Sequence, residues 1–477
     1  MAQRRLDLLL FHAYYLVNDP HEQEIMRPFP PLGLQYLVAW LKREGISAVD
    51  WMDATFQDGP DDFFERCMVD SPRVVGLYGH TVTRPIAEKM VARCRAEGRR
   101  VIAGGPDPAQ YIDEYLDAGV EVIVIGEGER TLTALMQHLK ANRWRWNYDA
   151  LVDIPGIVFR HRGERVRTPP RPLIRPLDQI PWPERRRADL QHYFQVWQKR
   201  HGETAMSMVT SRGCPYHCSW CSKQVYGDTF RRRSTHDVID ELEAIRTTFD
   251  PDQIWFADDL FTINRGWVKR FCREMIRRRS TIPFYVIARP ETLTPEVCTD
   301  LAAAGCYRVY VSAESGAQHI LDAMRKNDRV EDILSAGVNL RCAGIELGVF
   351  VMIGYPGESR EDLDATLTML HTLQPEVTLL SVAHPMKGTT FYDEIVDRVL
   401  PTPASDGSGR LRFEMDYPRP YYDVAQRMIW AETGLVRKLR RREYDLEMAA
   451  LAVKAPLYRA ATRALAIPAR RSREDQR

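Results

Sequence analysis

Cys214-Pro-Tyr-His-Cys218-Ser-Trp-Cys221 sets three cysteines within eight residues at the spacing C-x3-C-x2-C. A cubane iron–sulfur cluster usually takes four cysteine thiolates, so three leave one iron open to a ligand that is not protein. A cluster that holds a ligand directly can pass an electron into it. The run follows an apolar, strand-like stretch, Ala205-Met-Ser-Met-Val-Thr210, and an Arg212-Gly213 turn. The cysteines therefore stand where the carboxyl end of a strand would carry a site. Zinc completed by a histidine such as His217 is the rival reading. Zinc sites, however, usually pair two C-x2-4-C or C/H clusters, and no second cluster exists in this sequence.

From about residue 200 to about residue 400 the chain resembles the radical S-adenosylmethionine (SAM) superfamily, through this cysteine motif. The resemblance implies that Cys214, Cys218 and Cys221 hold a [4Fe–4S] cluster. Its open iron would chelate the amino and carboxylate groups of SAM, and electron transfer would release a 5′-deoxyadenosyl radical. The family commonly has an aromatic residue just before the last cysteine, packed near the adenine, and Trp220 fills that place.

At 477 residues, two or three domains are expected. With 44% hydrophobic and 27% charged residues the composition is that of a soluble globular protein, and a net charge of +1 offers no electrostatic argument for nucleic acid. Nine cysteines, three of them clustered, do not look like a disulfide framework; they fit a reducing cytoplasm, where thiolates can bind metal. The N-terminus lacks the apolar core and cleavage site of a signal peptide. No apolar run approaches the ~20 residues needed to span a bilayer. The expected location is cytoplasmic.

The first 142 residues alternate short apolar runs with helix-period segments. Leu6–Phe11, Ala48–Met52, Val74–Tyr78, Val101–Ala103 and Val120–Ile125 read as buried strands, with helices near 33–44, 61–69, 84–97, 109–118 and 129–140. Such alternation predicts a doubly wound parallel sheet, which takes ligands at the carboxyl ends of its strands. The loops there are Gly79-His80-Thr81, Gly104-Gly105-Pro106-Asp107 and Gly126-Glu127-Gly128-Glu129. Their glycines let backbone approach a bulky ligand closely. No G-x-G-x-x-G follows the first strand, which argues against a nicotinamide cofactor. Together with Pro30-Pro31-Leu32-Gly33-Leu34, these loops resemble the cobalamin-binding domain that precedes one radical SAM subclass. The resemblance implies a Rossmann-like cobalamin-binding domain over 1–142, with His80, Thr81, Gly104, Gly105, Asp107, Gly126, Glu127, Gly128 and Glu129 near the cofactor. The D-x-H-x-x-G signature of a cobalt-ligating histidine is absent.

Residues 143–204 read as a linker containing a hairpin (Ile154–Arg160, Gly163–Thr168) and a proline-rich extended stretch, Leu177–Pro183. Over 205–400 the alternation resumes, with strands at 206–210, 253–257, 284–288, 307–312, 347–353 and 376–383. Six such units make a partial (β/α)6 TIM-type barrel with its chemistry at the carboxyl rim. The fold class is thus α/β, a Rossmann-like domain followed by a partial barrel and, over 401–477, a helical C-terminal extension. At the rim, Arg289 suits the SAM carboxylate, Ser312 and Glu314 suit ribose hydroxyls or the amino group, and Gly354 in Ile353-Gly-Tyr-Pro-Gly-Glu358 falls where the subclass places adenine. Asp258 and Glu358 read rather as caps or ion pairs. From 434 onward twelve Lys/Arg face five Asp/Glu, densest at Arg437–Arg442 and Arg470–Arg473. A solvated helical cap accounts for this run, and attraction to membrane headgroups is the minority reading.

These features predict an enzyme that cleaves SAM reductively and transfers a methyl group from methylcobalamin to an unactivated carbon of a small-molecule substrate. An external donor of the flavodoxin or ferredoxin type would supply electrons. The alternative within the family is an oxidative cyclase of the anaerobic magnesium-protoporphyrin monomethyl ester type, without methyl transfer. A non-catalytic corrinoid- or SAM-binding sensor is the alternative of another class. Methylthiolating tRNA enzymes carry three further cluster cysteines, whereas only Cys67 and Cys94 occur in the first 200 residues here.

Overall fold

Apolar runs Leu8–His12 (β1), Val49–Asp53 (β2), Val74–Tyr78 (β3), Arg100–Gly104 (β4) and Val122–Val124 (β5) pair in parallel to begin the first sheet. The computed structural model describes residues 5–223, 225–401 and 410–466. Two antiparallel strands, Ile157–His161 (β6) and Glu164–Arg167 (β7), complete the order β2-β1-β3-β4-β5-β6-β7. Side chains alternate between the two faces, as a pleated strand requires. Leu9 and Phe11 pack with Phe63, Cys67, Met90 and Tyr115 on one face. On the other, Leu8 and Leu10 pack with Leu34, Val38, Leu41, Leu135 and Leu139. Burial of each such side chain stabilises the fold by about 1.5–3 kcal/mol. The helices covering these faces, Leu32–Arg43, Asp61–Asp70, Arg84–Ala96, Ile112–Ala118 and Gly128–Ala141, lie within a few residues of their expected spans.

The stretch 143–204, expected as a linker, is packed structure. Its hairpin extends the first sheet through pairing of Val122–Val124 with Ile157–Phe159. Ile174, Leu177 and Ile180 bury against Tyr36 and Trp40. Trp197, on the helix Arg187–His201, is buried and donates its indole N–H to the Pro28 carbonyl at 2.8 Å. The proline-rich composition reads as a linker, but Ile174, Leu177 and Ile180, spaced three apart, all find apolar partners.

Ala205–Met208 (β8) is followed by a small antiparallel pair, Ser211–Arg212 (β9) and Arg231–Arg232 (β10), and the helix Thr235–Phe249. Ser234 caps that helix by accepting from the Asp237 amide at 3.2 Å. Gln253–Phe256 (β11), Phe284–Ala288 (β12), Cys306–Glu314 (β13), Glu346–Ile353 (β14) and Val377–Val382 (β15) run parallel. The second large sheet has the order β15-β14-β13-β12-β11-β8, the six strands expected of a partial barrel. The described residues divide into two compact units. The first holds the residues up to Pro215 and Ser222–Gln253; the second holds Tyr216–Cys221, Ile254–Pro401 and the residues from Arg412. The early barrel elements thus group with the N-terminal sheet. A buried ion network explains this: Glu241 of the helix Thr235–Phe249 accepts from Arg185 at 2.6 Å and Arg233 at 2.5 Å.

The C-terminal extension is helical, as expected, over Arg419–Arg441 and Leu446–Leu465. Arg470–Arg473 lies outside the described residues. No helix among the described residues is long and apolar enough to cross a membrane.

Candidate functional site

In the second unit the cysteine loop is anchored by the residue between its last two thiols. Ser219 is buried; its amide and hydroxyl donate to the Met324 carbonyl at 2.9 and 3.1 Å, and its hydroxyl lies 2.7 Å from the Tyr355 hydroxyl. Its carbonyl accepts from the Phe391 amide at 2.8 Å. The Cys221 amide turns back to the Cys218 carbonyl at 3.2 Å. Trp220 packs against a cluster that includes Ala317, Met324, Tyr355 and Phe391.

The three thiols are half-buried, whereas Cys67, Cys94, Cys272, Cys298 and Cys306 are buried. Burial pushes Cys67 up to about 11 and Cys94, Cys272 and Cys298 up to about 12, which keeps them protonated and inert. Soft, partly accessible thiolates suit an iron–sulfur cluster. Among the described residues no group of three or more His, Cys, Asp or Glu is gathered as a ready-made metal site, so it is the donor chemistry and spacing that fit.

Arg289 follows β12, but it does not stand open to a carboxylate ligand. Its guanidinium bonds Asp328, the Lys326 carbonyl and, at 2.8 Å, Glu291, and it stacks 3.8 Å from the centre of the Tyr216 ring. Burial opposes its charge, yet Asp328, Glu291 and Cys218 hold it firmly protonated. Tyr216 in turn donates to Glu291 at 2.9 Å. Arg289 therefore braces the cysteine loop.

The cation beside the strand-end residues is Lys326, which sequence reasoning missed because nothing around it in the chain marks it. Its ammonium donates to Ser312 Oγ at 3.0 Å and lies 3.1 Å from Asp328 and 4.0 Å from Glu314. Glu314 adopts φ of 61° where the pairing of β13 with β14 shifts register, which turns its carboxyl toward Lys326. Gly354 (φ 77°) lies under Met415 and Tyr422, where an added Cβ would come within 2.5 and 2.9 Å of them. Its amide donates to Glu358 at 2.5 Å. Asp258 is buried and Asp259 exposed.

In the first unit, a cleft of about 1020 Å³, part of it open to solvent, lies at the carboxyl ends of β1, β3, β4 and β5. It adjoins the point where strand order reverses, between β1 and β3. Leu10, Leu34, Leu37, Gly76, Ile102, Val124 and Leu132 line it, with Gly104, Gly105, Gly126 and Gly128 at the strand ends. Gly76 lies mid-strand in β3, and a Cβ there would stand 2.5 Å from Leu10 Cδ2. The sequence loops therefore converge, but not all their side chains reach the cleft. Asp107 is buried, bonded to Arg84 at 2.6 and 2.8 Å and to the Tyr115 hydroxyl at 2.9 Å. His80 and Thr81 are not among the lining residues. The His80 ring lies 5.7 Å from His12 and 6.4 Å from Tyr78, and burial together with His12 pushes it down to about 4, so it is neutral. Glu127 and Glu129 line the cleft while pairing with Arg212 at 2.8 and 2.5 Å. Arg231 also binds Glu127, at 2.9 Å. The remaining wall, Tyr36, Val209, Arg212, Val225 and Tyr226, comes partly from residues distant in sequence.

Two buried acids carry a pH signature. Burial pushes Glu314 up to about 7 and Glu358 up to about 8, and Glu358 Oε1 has no hydrogen-bond partner among the described residues. Both stay protonated in the folded protein over a range where the unfolded chain ionises, so the unfolded state holds fewer protons and stability falls as pH rises. The loss begins near the ordinary carboxyl value of 4.5 and is complete above the raised values. The slope is at most about 1.4 kcal/mol per pH unit for each acid. Thermal melts of the cofactor-free protein between about pH 5 and pH 9 are expected to show this decline, and Glu358→Gln is expected to flatten it. An unchanged slope in the variant would remove Glu358 from the account.

The description "Radical SAM superfamily" matches residues 208–370, and "B12 binding domain" matches residues 24–136. An uncharacterized methyltransferase of Pyrococcus horikoshii is 28% identical over 79% of this chain and 82% of that protein. The anaerobic magnesium-protoporphyrin IX monomethyl ester cyclase of Cereibacter sphaeroides is 27% identical over 79% of this chain, which spans 62% of that protein. Among solved structures, the radical SAM methyltransferase TsrM of Kitasatospora setae, with cobalamin and a [4Fe–4S] cluster bound, superposes with a TM-score of 0.72 at 20% identity, covering 96% of this chain and 100% of that one. Its complex with tryptophan and a SAM analogue gives 0.73, again at 20% identity, covering 96% and 99%. At this identity the superposition speaks to the fold.

Proposed function

The chain belongs to the cobalamin-binding radical SAM family, whose cofactors are a [4Fe–4S] cluster, SAM and cobalamin, and we propose that it transfers a methyl group to an unactivated carbon of a small-molecule substrate. The observation that carries this reading is the presence, in one chain, of three half-buried thiols at C-x3-C-x2-C and a glycine-lined cleft at the strand ends of a B12-type sheet. When bound, the cluster and SAM supply a hydrogen-abstracting radical and the corrinoid supplies the methyl group.

The residues of the chain do the holding. Cys214, Cys218 and Cys221 bind iron, and Ser219 and Arg289 set the backbone and charge around the last two thiols. Lys326, with Ser312 and Glu314, offers one cation and two oxygens to the amino-acid end of SAM, and Trp220 and Gly354 border the adenine. The cleft, lined by Gly104, Gly105, Gly126 and Gly128, would hold the corrinoid, and His80, neutral, lies outside that lining. A low-potential flavodoxin or ferredoxin in a reducing cytoplasm would be the electron source.

Cys218→Ala is expected to abolish 5′-deoxyadenosine formation from SAM under dithionite; persistence of that product would refute the cluster assignment. Lys326→Met is expected to weaken SAM binding by at least about tenfold, as loss of a charged hydrogen bond does, in equilibrium dialysis of the reconstituted enzyme. Trideuteriomethyl SAM, supplied with extract of a co-expressing host, separates the readings. Label in a product supports methyl transfer, whereas a product of altered hydrogen count without label supports the cyclase. Cofactor binding without 5′-deoxyadenosine would leave only a sensor.

A further inference from the structure

Arg212 belongs to two structures at once. Its guanidinium lines the cleft of the first unit, bridges Glu127 at 2.8 Å and Glu129 at 2.5 Å, and lies 5.6 and 5.4 Å from the centres of the Tyr36 and Tyr226 rings, which line the same cleft. Along the chain it stands two residues before Cys214. The pair of carboxylates opens the helix Gly128–Ala141 at the cleft. Arg212, Glu127, Glu129 and Tyr36 are buried. Removing one partner of such a network leaves a charge uncompensated in a low-dielectric setting, so breaking it is costly.

The link from Arg212 to Cys214 is stiff. Gly213 has φ of 84°, and any Cβ there would overlap the Thr229 carbonyl oxygen, so only glycine fits this path. Pairing of β9 with β10 (Arg212 opposite Arg231) holds the strand just before that turn. Arg231, on the partner strand, also binds Glu127 and the Ile174 carbonyl at 2.9 Å. An occupant that settles against the cleft wall therefore acts on a side chain whose backbone directs the first cluster thiol.

We propose that Arg212 is a positioning residue that couples occupation of the cleft by cobalamin to the setting of Cys214, so that each cofactor stabilises the binding of the other. The inference rests on the reading of the cleft as the corrinoid site. Coupling of this kind is reciprocal. Cobalamin protects the cluster, and the cluster tightens retention of cobalamin.

The experiment uses anaerobically reconstituted protein bearing a full cluster, with and without hydroxocobalamin, and follows iron loss to a coloured ferrous chelator. In the wild type, cobalamin is expected to slow iron release by about fivefold or more, the lower end of measured site-to-site coupling. Arg212→Met is expected to reduce that protection to less than about twofold, measured with hydroxocobalamin in saturating excess so that the cleft stays occupied. If Arg212→Met does not fold by circular dichroism, Arg212→Lys serves, since one ammonium cannot span both carboxylates as the planar fork does; it too is expected to lose most of the protection. Retained cobalamin with unchanged iron release in the wild type would overturn the coupling. So would full protection in a folded Arg212 variant. A wild type that retains no cobalamin after desalting would instead overturn the reading of the cleft.

Discussion

Parallel strands can be joined only by crossovers, and this constraint organises each unit of the molecule. Every strand of β1–β5 and of β11–β15 delivers its carboxyl end to a single edge of its sheet. The loops at that edge are released from pairing and can carry polar groups, while the apolar runs behind the central strands are buried. In the first unit this edge holds a cleft lined in part by glycine. In the second it holds a cluster of buried charges around Arg289, Lys326, Asp328 and Glu314. Chemistry collects at the edges because the sheets leave it nowhere else.

The charged residues at these edges serve one another before they serve a ligand. Asp107 is taken up by Arg84 and Tyr115, Glu127 and Glu129 by Arg212 and Arg231, and Arg289 by Asp328 and Glu291. An isolated buried charge costs several kcal/mol, so each is matched. Where matching is incomplete the acid keeps its proton, as with Glu314 and Glu358. Groups that look like ligand contacts in a loop sequence thus become the frame that sets backbone amides, glycines and thiols in position.

The architecture was legible because periodicity and turn chemistry are local. The five strands and five helices of the first sheet, the hairpin at 157–167 and the strands β8 and β11 to β15 fall within a few residues of where apolar spacing puts them. The segment 143–204 was not, since its proline and arginine content resembles a linker while Ile174, Leu177, Ile180 and Trp197 are buried. Nor was the assignment of β9, β10 and the helix Thr235–Phe249 to the first unit, which depends on ion pairs between residues far apart in sequence.

The sequence by itself carried the family and the candidate donors: three cysteines at C-x3-C-x2-C, preceded by glycine loops at strand ends. Those are properties of short contiguous runs, and covalent spacing suffices to state them. Tertiary structure decided which charges face the sites. Arg289 braces the loop and Lys326 stands beside Ser312. His80 is outside the lining while Tyr36, Arg212 and Tyr226 are within it. The direction of a side chain depends on which partner lies across the fold, and no run of neighbouring residues contains that information.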